Sequence, residues 1–199
     1  MLKNSYPGKF IVFEGLDGSG QSTQTKLLAE FFNKKGQSVL TTKEPTLDSE
    51  AGRKIRQILD EKVKADPAEL QKLFSQDRAE HLENIIIPAL KEDKIVISDR
   101  YFYSSLAFGS ADGVDLNQLI KLNENFLTPD RVFLLKVAPK ICVERIEKRG
   151  KPKTLFEKEM KLTKVWENYE KISRIFPEIK IIDGEKSIEE VFENVKNEL

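Results

Sequence analysis

The segment FIVFEGLDGSGQSTQT, residues 10–25, decides the fold because it joins a β-prone stretch to a helix pattern through a glycine-rich turn. Gly15, Gly18 and Gly20 allow positive φ angles and let backbone N–H groups approach an anion without interference from Cβ atoms. A helix that starts near Ser22 would direct its positive dipole end and its free N–H groups at the same anion. The segment therefore predicts a strand, a phosphate-binding loop and a helix.

The loop fits most of the phosphate-loop template G-x-x-x-x-G-K-[ST], with Gly15, Gly20 and Ser22 in place. Position 21 departs from it, because Gln21 stands where the template has lysine. A degenerate pattern of this kind also arises by chance in plain glycine turns. The strand before the loop and the amphipathic helix after it favour the phosphate loop, since this context is the one that the template requires.

The composition suits one domain, or one domain with a mobile insertion, in 199 residues. Lys plus Arg and Asp plus Glu number 33 each, so no overall field favours nucleic acid or an anionic membrane. The N-terminal MLKNSYPGK lacks the apolar core of a signal peptide, and no run approaches the length of a membrane span. We therefore predict a soluble, cytoplasmic protein in which any anion binds through a local site and not through the overall charge.

The single cysteine and the single histidine point to structural roles. Because Cys142 is the only cysteine, it cannot form an intrachain disulfide. It falls on the apolar side of a predicted helix with Ile141 and Ile146. We expect a buried inert thiol there rather than a catalytic nucleophile, which would need a partner base. His81 has no second histidine with which to build a metal site, so we expect it to be structural or on the surface.

Short apolar strands alternate with helical patterns along the rest of the chain. Further strands are predicted at residues 38–42, 95–97, 132–137 and 179–182. Helices are predicted at residues 51–60, from Pro67, through Pro88, at 116–126, at 139–150 and after a capping box of Ser187 with Glu190. We assign Leu70, Leu73 and Phe74 to the buried side of the helix that begins at Pro67.

Five such strands predict a parallel sheet with helices on both faces. Ligands of this architecture bind beyond the carboxyl ends of the strands, at the point where the strand order reverses. The residues expected along that rim are Gly15, Glu44, Asp99, Lys136 and Asp183.

A basic segment precedes the last strand, with eight Lys or Arg residues between Arg145 and Lys164. Few residues there could anchor a core before Trp166. Two interpretations remain open: a solvated helical face, or a basic lid at about residues 145–160 that closes over phosphates.

A series of short blocks, in order and spacing, carries a resemblance that runs from about residue 9 to 195. The blocks are FEGLDGSG at 13–20, EP at 44–45, LFSQDR at 73–78, SDRYFYSS at 98–105, PD at 129–130, ERIEKRG at 144–150, FE at 156–157 and IIDG at 181–184. In these blocks the chain resembles the thymidylate kinases, a branch of the P-loop nucleoside monophosphate kinases.

The resemblance implies a three-layer α/β P-loop NTPase fold with a five-stranded parallel sheet of order 2-3-1-4-5. It implies one kinase domain over residues 1–199, with a monophosphate-binding region at about 44–108. The implied reaction is transfer of the ATP γ-phosphoryl group to dTMP, which gives dTDP and ADP with Mg²⁺ for dTTP synthesis. Such chemistry needs charge neutralisation and in-line positioning more than covalent catalysis. A homodimer formed through helices on one sheet face is also implied.

The resemblance also implies which residues bind ATP and the metal. The ATP-binding residues would be Gly15, Leu16, Asp17, Gly18, Ser19, Gly20, Gln21, Ser22, Thr23 and Arg145. Ser22 would ligate Mg²⁺, and Asp99 would orient the water ligands of the metal. The implied catalytic residues are Asp99, Arg100, Arg149 and Gln21.

On the dTMP side, the resemblance assigns Asp17 to the 3′-hydroxyl, Phe74 to stacking on thymine and Arg78 to a donor contact with the base. Arg100 would bind the dTMP phosphate, for which a planar guanidinium fork is well suited. Ser104 and Ser105 would lie beside the base and sugar, and Phe108 at the 2′ position. Without the resemblance, Phe74 would be assigned to the core and Arg78 to a surface ion pair.

Several positions depart from the family pattern. Gln21 replaces a lysine, Phe108 a tyrosine, Gly109 a glutamine, Lys136 an aspartate and Leu155 an arginine, and Gly18 lacks the loop arginine of the other subtype. Charge for the transferred phosphoryl group must then come from Arg145, Arg149, Lys151 or Lys153. Lys136 is a further candidate for the missing loop charge, against a plain solvated lysine.

Three functions follow from these matches and departures. The first is an active dTMP kinase, which the retained substrate-side residues favour. The second is a kinase for another monophosphate or a deoxynucleoside, because Phe108 weakens discrimination at the 2′ position. The third is a catalytically weakened nucleotide-binding relative, because removal of one preorganised donor typically costs about 10²- to 10³-fold in rate.

Overall fold

Five parallel strands form the central sheet of this computed structural model, which describes residues 1–148 and 155–199. In chain order they are β1 (Phe10–Gly15), β2 (Val39–Lys43), β3 (Ile95–Asp99), β4 (Arg131–Lys136) and β5 (Ile179–Asp183). Their spatial order is β2-β3-β1-β4-β5, with every pairing parallel. The predicted order 2-3-1-4-5 is therefore confirmed, and β2, β3, β4 and β5 each lie within two residues of their predicted bounds.

Nine α-helices connect and cover these strands in the described part of the chain. They are α1 (Gln21–Lys34), α2 (Glu50–Leu59), α3 (Pro67–His81), α4 (Ile87–Lys91), α5 (Phe102–Ala111), α6 (Leu116–Asn123), α7 (Pro139–Glu147), α8 (Leu155–Ile175) and α9 (Ile188–Asn197). The capping box of Ser187 and Glu190 is present at α9. The predicted glycine stop of α7, at position 150, lies outside the described residues.

The helical path continues past Pro88, as predicted, through a π-helical turn at Leu82–Ile86 that joins α3 to α4. Proline lacks an N–H group, and its ring collides with the carbonyl group four residues earlier in a regular α-helix. The wider turn directly before α4 accommodates Pro88, so the chain keeps its helical course toward β3.

The sheet separates two hydrophobic clusters, because side chains alternate across each strand. Val12, Val132 and Leu134 pack on the face that α5 and α8 cover. Phe13 and Leu135 pack on the opposite face, against α1 and α9. The predicted coverage of both sheet faces is therefore confirmed. None of the helices in residues 1–148 and 155–199 is both long enough and apolar enough to cross a membrane.

The predicted buried side of α3 is wrong. The helix buries polar residues, and Leu70, Leu73 and Phe74 are only half-buried. The buried set is Gln71, Asp77, Arg78 and His81. The physical reason is that this side of α3 packs on polar groups of the β2–α2 loop. There, the Asp77 carboxylate accepts hydrogen bonds from the Thr46 N–H and from the Thr46 and Ser49 hydroxyls.

Candidate active site

The glycine-rich loop runs from the end of β1 to the first residue of α1, with positive φ angles of 89° at Gly18 and 105° at Gly20. A Cβ atom on Gly18 would lie 2.7 Å from the Cys142 carbonyl oxygen in α7. Both the backbone angle and this close approach exclude a larger side chain, including the arginine of the other subtype. The loop therefore has the conformation that its glycines predicted.

The first turn of α1 offers N–H groups to a ligand. Its N-cap is Gly20, which has no side chain that could accept a hydrogen bond from the turn, and the turn contains no acidic residue. Free N–H groups and the positive end of the helix dipole together attract anions. Beside this turn lies a cavity of about 250 Å³ lined in part by Thr23, Arg145 and Gly184. The Arg145 guanidinium lies within 3.5 Å of the Gly18 and Gly184 carbonyl oxygens.

The Gln21 side chain stabilises the loop through two hydrogen bonds. Its side chain is buried, its Nε2 donates to the Gly15 carbonyl oxygen at 3.0 Å, and its Oε1 accepts from the Ser19 hydroxyl at 3.1 Å. The amide therefore fulfils its hydrogen bonds within the protein and carries no charge. In this conformation, Gln21 holds the loop in shape and does not replace the lysine of the template.

Ser22 and Asp99 meet at the carboxyl end of the sheet. The Ser22 hydroxyl donates to Asp99 Oδ2 at 2.5 Å, and the Lys43 ammonium lies 3.2 Å from the same oxygen. The described residues contain no group of three or more His, Cys, Asp or Glu that could hold a metal ion. A hydroxyl and a carboxylate nevertheless suit Mg²⁺, which takes few protein ligands and fills its shell with water and phosphate oxygens.

Arg100 connects the loop to α5. Its guanidinium donates to the Gly15 carbonyl oxygen at 3.0 Å, to the Ser104 hydroxyl at 2.8 Å and to Asp17 Oδ1 at 2.7 Å. Its carbon lies 5.3 Å from the centre of the Phe108 ring. Burial alone would lower the pKa of Arg100, but nearby Asp17, Tyr169, Glu14 and Asp99 raise it, so the group stays cationic. The structure thus brings five predicted site residues together.

The backbone of Arg100 has a φ angle of 77°, in the left-handed region that only glycine adopts without strain. Such a conformation persists where surrounding contacts hold it, and it is common at functional sites. Here the Arg100 N–H donates to the Phe13 carbonyl oxygen, and Gly15, Asp17 and Ser104 hold the guanidinium.

Glu14 is a central residue that the sequence analysis missed. It is fully buried at the end of β1 and accepts hydrogen bonds from the Tyr101 and Ser104 N–H groups and from the Ser104 and Tyr169 hydroxyls. Burial raises the pKa of Glu14, while Arg100 and these donors lower it. Glu14 thereby caps α5 and ties it to α8. The available signal was a charged residue inside an otherwise apolar strand.

Arg78 lies in a buried polar network. Its Nε donates to Glu44 Oε2 at 2.8 Å, and its terminal nitrogens donate to Asn123 Oδ1 at 2.6 Å and to the Ser105 hydroxyl at 3.1 Å. The alternative of a surface ion pair is therefore wrong, since Arg78 is only 1% exposed. His81 contacts Glu44 and Thr42 in the same network, which confirms a structural role for it.

Lys136, Cys142 and Arg149 are further residues for which the sequence made predictions. Lys136 is exposed at the end of β4. Cys142 is a buried free thiol, and burial raises its pKa to about 12, so the predicted inert thiol is confirmed. Arg149 lies outside the described residues, together with the central part of the predicted lid, residues 149–154.

Comparisons with known proteins agree with this geometry. The family model described as Thymidylate kinase matches residues 13–195. A protein of Pyrococcus horikoshii named "Probable thymidylate kinase" is 48% identical over 194 residues, which cover 94% of each chain. The "Thymidylate kinase" of Caldicellulosiruptor saccharolyticus is 38% identical over 195 residues, or 95% of this chain and 94% of its own. Together with the phosphate loop and the contacts of Arg100, these matches show that the chain belongs to the thymidylate kinase family.

Proposed function

We propose that this protein is a dTMP kinase that transfers the γ-phosphoryl group of ATP to dTMP, which yields dTDP and ADP for dTTP synthesis. A phosphate oxygen of dTMP bonds to the γ-phosphorus as the bond from that phosphorus to the ADP oxygen breaks. The observation that carries the proposal is the Arg100 guanidinium, held between the phosphate loop and α5 by Gly15, Asp17 and Ser104. A fixed cation there suits an acceptor phosphate beside the ATP phosphates.

The loop of residues 15–23 and the first turn of α1 would bind the ATP phosphates. The uncapped N–H groups of that turn support this assignment, and Arg145 beside the adjoining cavity would contact the nucleoside. Ser22 and Asp99 would hold Mg²⁺, which neutralises charge on the phosphates when it is bound. Their hydroxyl and carboxylate oxygens lie 2.5 Å apart, and oxygen atoms of this kind are the ligands that Mg²⁺ takes in proteins.

The residues of the dTMP side would bind the substrate along α3 and α5. Arg100 would hold the phosphate, Asp17 the 3′-hydroxyl, and Ser104 and Ser105 would lie beside the sugar and base. Phe74 would stack on thymine and Arg78 would donate to it. Phe108 would lie at the 2′ position, where it replaces the tyrosine of the family pattern.

A coupled ADP-release assay with a panel of monophosphates tests the proposal. We expect kcat/KM for dTMP to exceed that for UMP by about 10-fold to 200-fold, the discrimination typical of small substituent differences, and to exceed that for CMP by more. Equal turnover of UMP and dTMP would contradict the assignment of dTMP. It would favour the second candidate, a kinase for another monophosphate or a deoxynucleoside, which Phe108 leaves open.

The third candidate is a nucleotide-binding protein that has lost phosphoryl transfer. It is based on Gln21, whose neutral side chain stabilises the loop and supplies no positive charge. We predict that Lys136 supplies the missing charge, so that Lys136→Ala lowers kcat about 10²-fold with Gln21 present, as loss of a preorganised charged donor does. The effect should be mild in the Gln21→Lys background, where a loop lysine is restored.

Steady-state kcat for the four proteins of this double-mutant cycle decides between the two roles of Lys136. If the effects of Lys136→Ala and Gln21→Lys on kcat are additive, with a coupling energy below about 0.5 kcal/mol, Lys136 is a solvated residue without this role. A wild-type protein that binds ATP and dTMP but releases no ADP would instead support the nucleotide-binding candidate.

We also propose a cytoplasmic homodimer. Leu47, Leu59 and Ile85 are each about half exposed and line one cavity of about 670 Å³ beside α2 and the π-helical turn. Exposed apolar side chains that gather in this way are typical of interfaces between protein chains. A second copy of this chain is the occupant that the resemblance implies. The single free thiol, Cys142, suits a reducing compartment.

A further inference from the structure

Gln71, in the second turn of α3, has a buried carboxamide that the fold does not satisfy. The residue is 3% exposed, and its Oε1 has no hydrogen-bond partner within the described residues. Buried polar atoms of folded proteins are nearly always hydrogen-bonded to protein, water or ligand. An amide kept at such a position therefore points to a partner that binds from outside the chain.

The position of Gln71 indicates what that partner is. Gln71, Phe74 and Arg78 follow one another at i, i+3 and i+7, so they lie on one face of α3. The described residues contain other buried unpartnered oxygens, on Gln24, Thr25 and Ser110, but these lie outside α3. Gln71 thus shares its helix face with the two residues assigned to the base of the nucleotide.

The facing helix makes room for this side chain. A Cβ atom on Gly109 of α5 would lie 3.0 Å from Gln71 Cδ and 3.1 Å from its Cγ. The carboxamide stem therefore fills the space that a side chain at 109 would need. Gly109 directly follows Phe108, whose ring lies 5.3 Å from the Arg100 guanidinium carbon. Gln71 consequently lies between the α3 face and the part of α5 that borders the substrate.

We propose that Gln71 is a specificity-determining residue whose carboxamide hydrogen-bonds the N3 edge of the pyrimidine base; this inference rests on the proposed dTMP kinase function. Thymine presents a carbonyl oxygen at C4 and an N–H donor at N3. Arg78 can only donate, and Glu44, Asn123 and Ser105 hold it in place, so it suits the C4 oxygen. The Gln71 oxygen accepts from N3–H once its carboxamide turns toward the base.

The pair therefore recognises the 2,4-dioxo pattern of the base. A 4-amino group, as in cytosine, would place a donor against the donor-only Arg78. An unpaired polar group at a site built for hydrogen bonds discriminates far more strongly than a missing methyl group does.

Gln71→Met tests the proposal, because methionine has a similar length and no hydrogen-bonding amide. We expect KM for dTMP to rise about 10-fold, with kcat within about 3-fold of wild type, since the lost contact binds substrate and transition state alike. The melting temperature should stay the same or rise, because the variant removes an unsatisfied buried group. The control is Gln76→Met, on the exposed side of the same helix, which should leave KM for dTMP unchanged.

N3-methyl-dTMP provides the readout that a structural role of Gln71 would not change. The ratio of kcat/KM for dTMP to kcat/KM for this analogue should be about 10-fold higher in wild type than in Gln71→Met. Only wild type has an amide oxygen that can accept from N3–H. A Gln71→Met enzyme with wild-type KM, or with wild-type discrimination against the analogue, would overturn the proposal. A wild-type protein that does not phosphorylate dTMP would overturn the proposed function itself, so the two failures are distinguishable.

A swap of the amide between the helices keeps the test decisive if the methionine variant is unstable. Gln71→Ala removes one of the two side chains that crowd position 109, the other being Leu119, and Gly109→Gln then returns an amide from α5. We expect the double variant to recover at least half of the roughly 10-fold loss in dTMP affinity of Gln71→Ala, on a logarithmic scale. No recovery by a folded double variant would contradict recognition of the base by this amide.

Discussion

The Arg100→Ala variant is expected to lose about 10³-fold in kcat/KM for dTMP, as removal of a preorganised charged donor does at phosphoryl-transfer sites. The guanidinium contacts Gly15, Asp17 and Ser104 at once, at distances between 2.7 and 3.0 Å. Neighbouring carboxylates hold its pKa above the ordinary value, so the cation is present at every working pH. In the proposed role, its loss would leave the acceptor phosphate without a fixed positive partner.

Arg100→Lys should recover little of this activity, because an ammonium group cannot span a carbonyl oxygen, a hydroxyl and a carboxylate in one plane. The coupled assay measures both variants, with Arg174→Ala on the exposed side of α8 as the control. Alanine and arginine meet the same steric strain in a left-handed backbone, and a comparison of melting temperatures separates loss of function from loss of fold. Activity within 10-fold of wild type would remove Arg100 from the proposed site.

Asp99→Asn should lower kcat about 10²- to 10³-fold and raise the Mg²⁺ concentration needed for half-maximal rate. Asp99 is 5% exposed, and its Oδ2 contacts both the Ser22 hydroxyl and the Lys43 ammonium. Asparagine keeps the shape of the side chain and loses its charge. The variant therefore tests the electrostatic contribution of Asp99 with little change in packing.

Initial rates over a Mg²⁺ titration at saturating ATP and dTMP provide the measurement. Asp112→Asn is the matched control, since Asp112 forms an ion pair with Lys161 away from the loop. The control should keep the wild-type rate and the wild-type Mg²⁺ dependence. An Asp99→Asn enzyme with both of these unchanged would rule out Asp99 as a residue of the metal site.

Local patterns in the sequence were sufficient for much of the scaffold. The apolar residues of β1 and β3, the glycines of the loop and the capping box at α9 each predicted the element that the structure has. Strand alternation and helix caps depend on residues within a turn or two of one another, so they can be identified without knowledge of the fold. The order of the strands came from the resemblance to the thymidylate kinases, because spacing alone cannot determine which strands are neighbours.

The tertiary structure alone decided how the polar residues are used. Arg78 is buried because Glu44 and Asn123, 34 and 45 residues away in the chain, surround its guanidinium. Glu14 caps α5 by accepting from the Tyr101 N–H, and it also accepts from the Tyr169 hydroxyl. Gln21 stabilises the loop because its side chain donates to the Gly15 carbonyl oxygen. Burial of a polar group is stable only when partners satisfy it, and those partners come from distant segments. A pattern of neighbouring residues contains no information about such partners, so the sequence determined the scaffold and the fold determined the site.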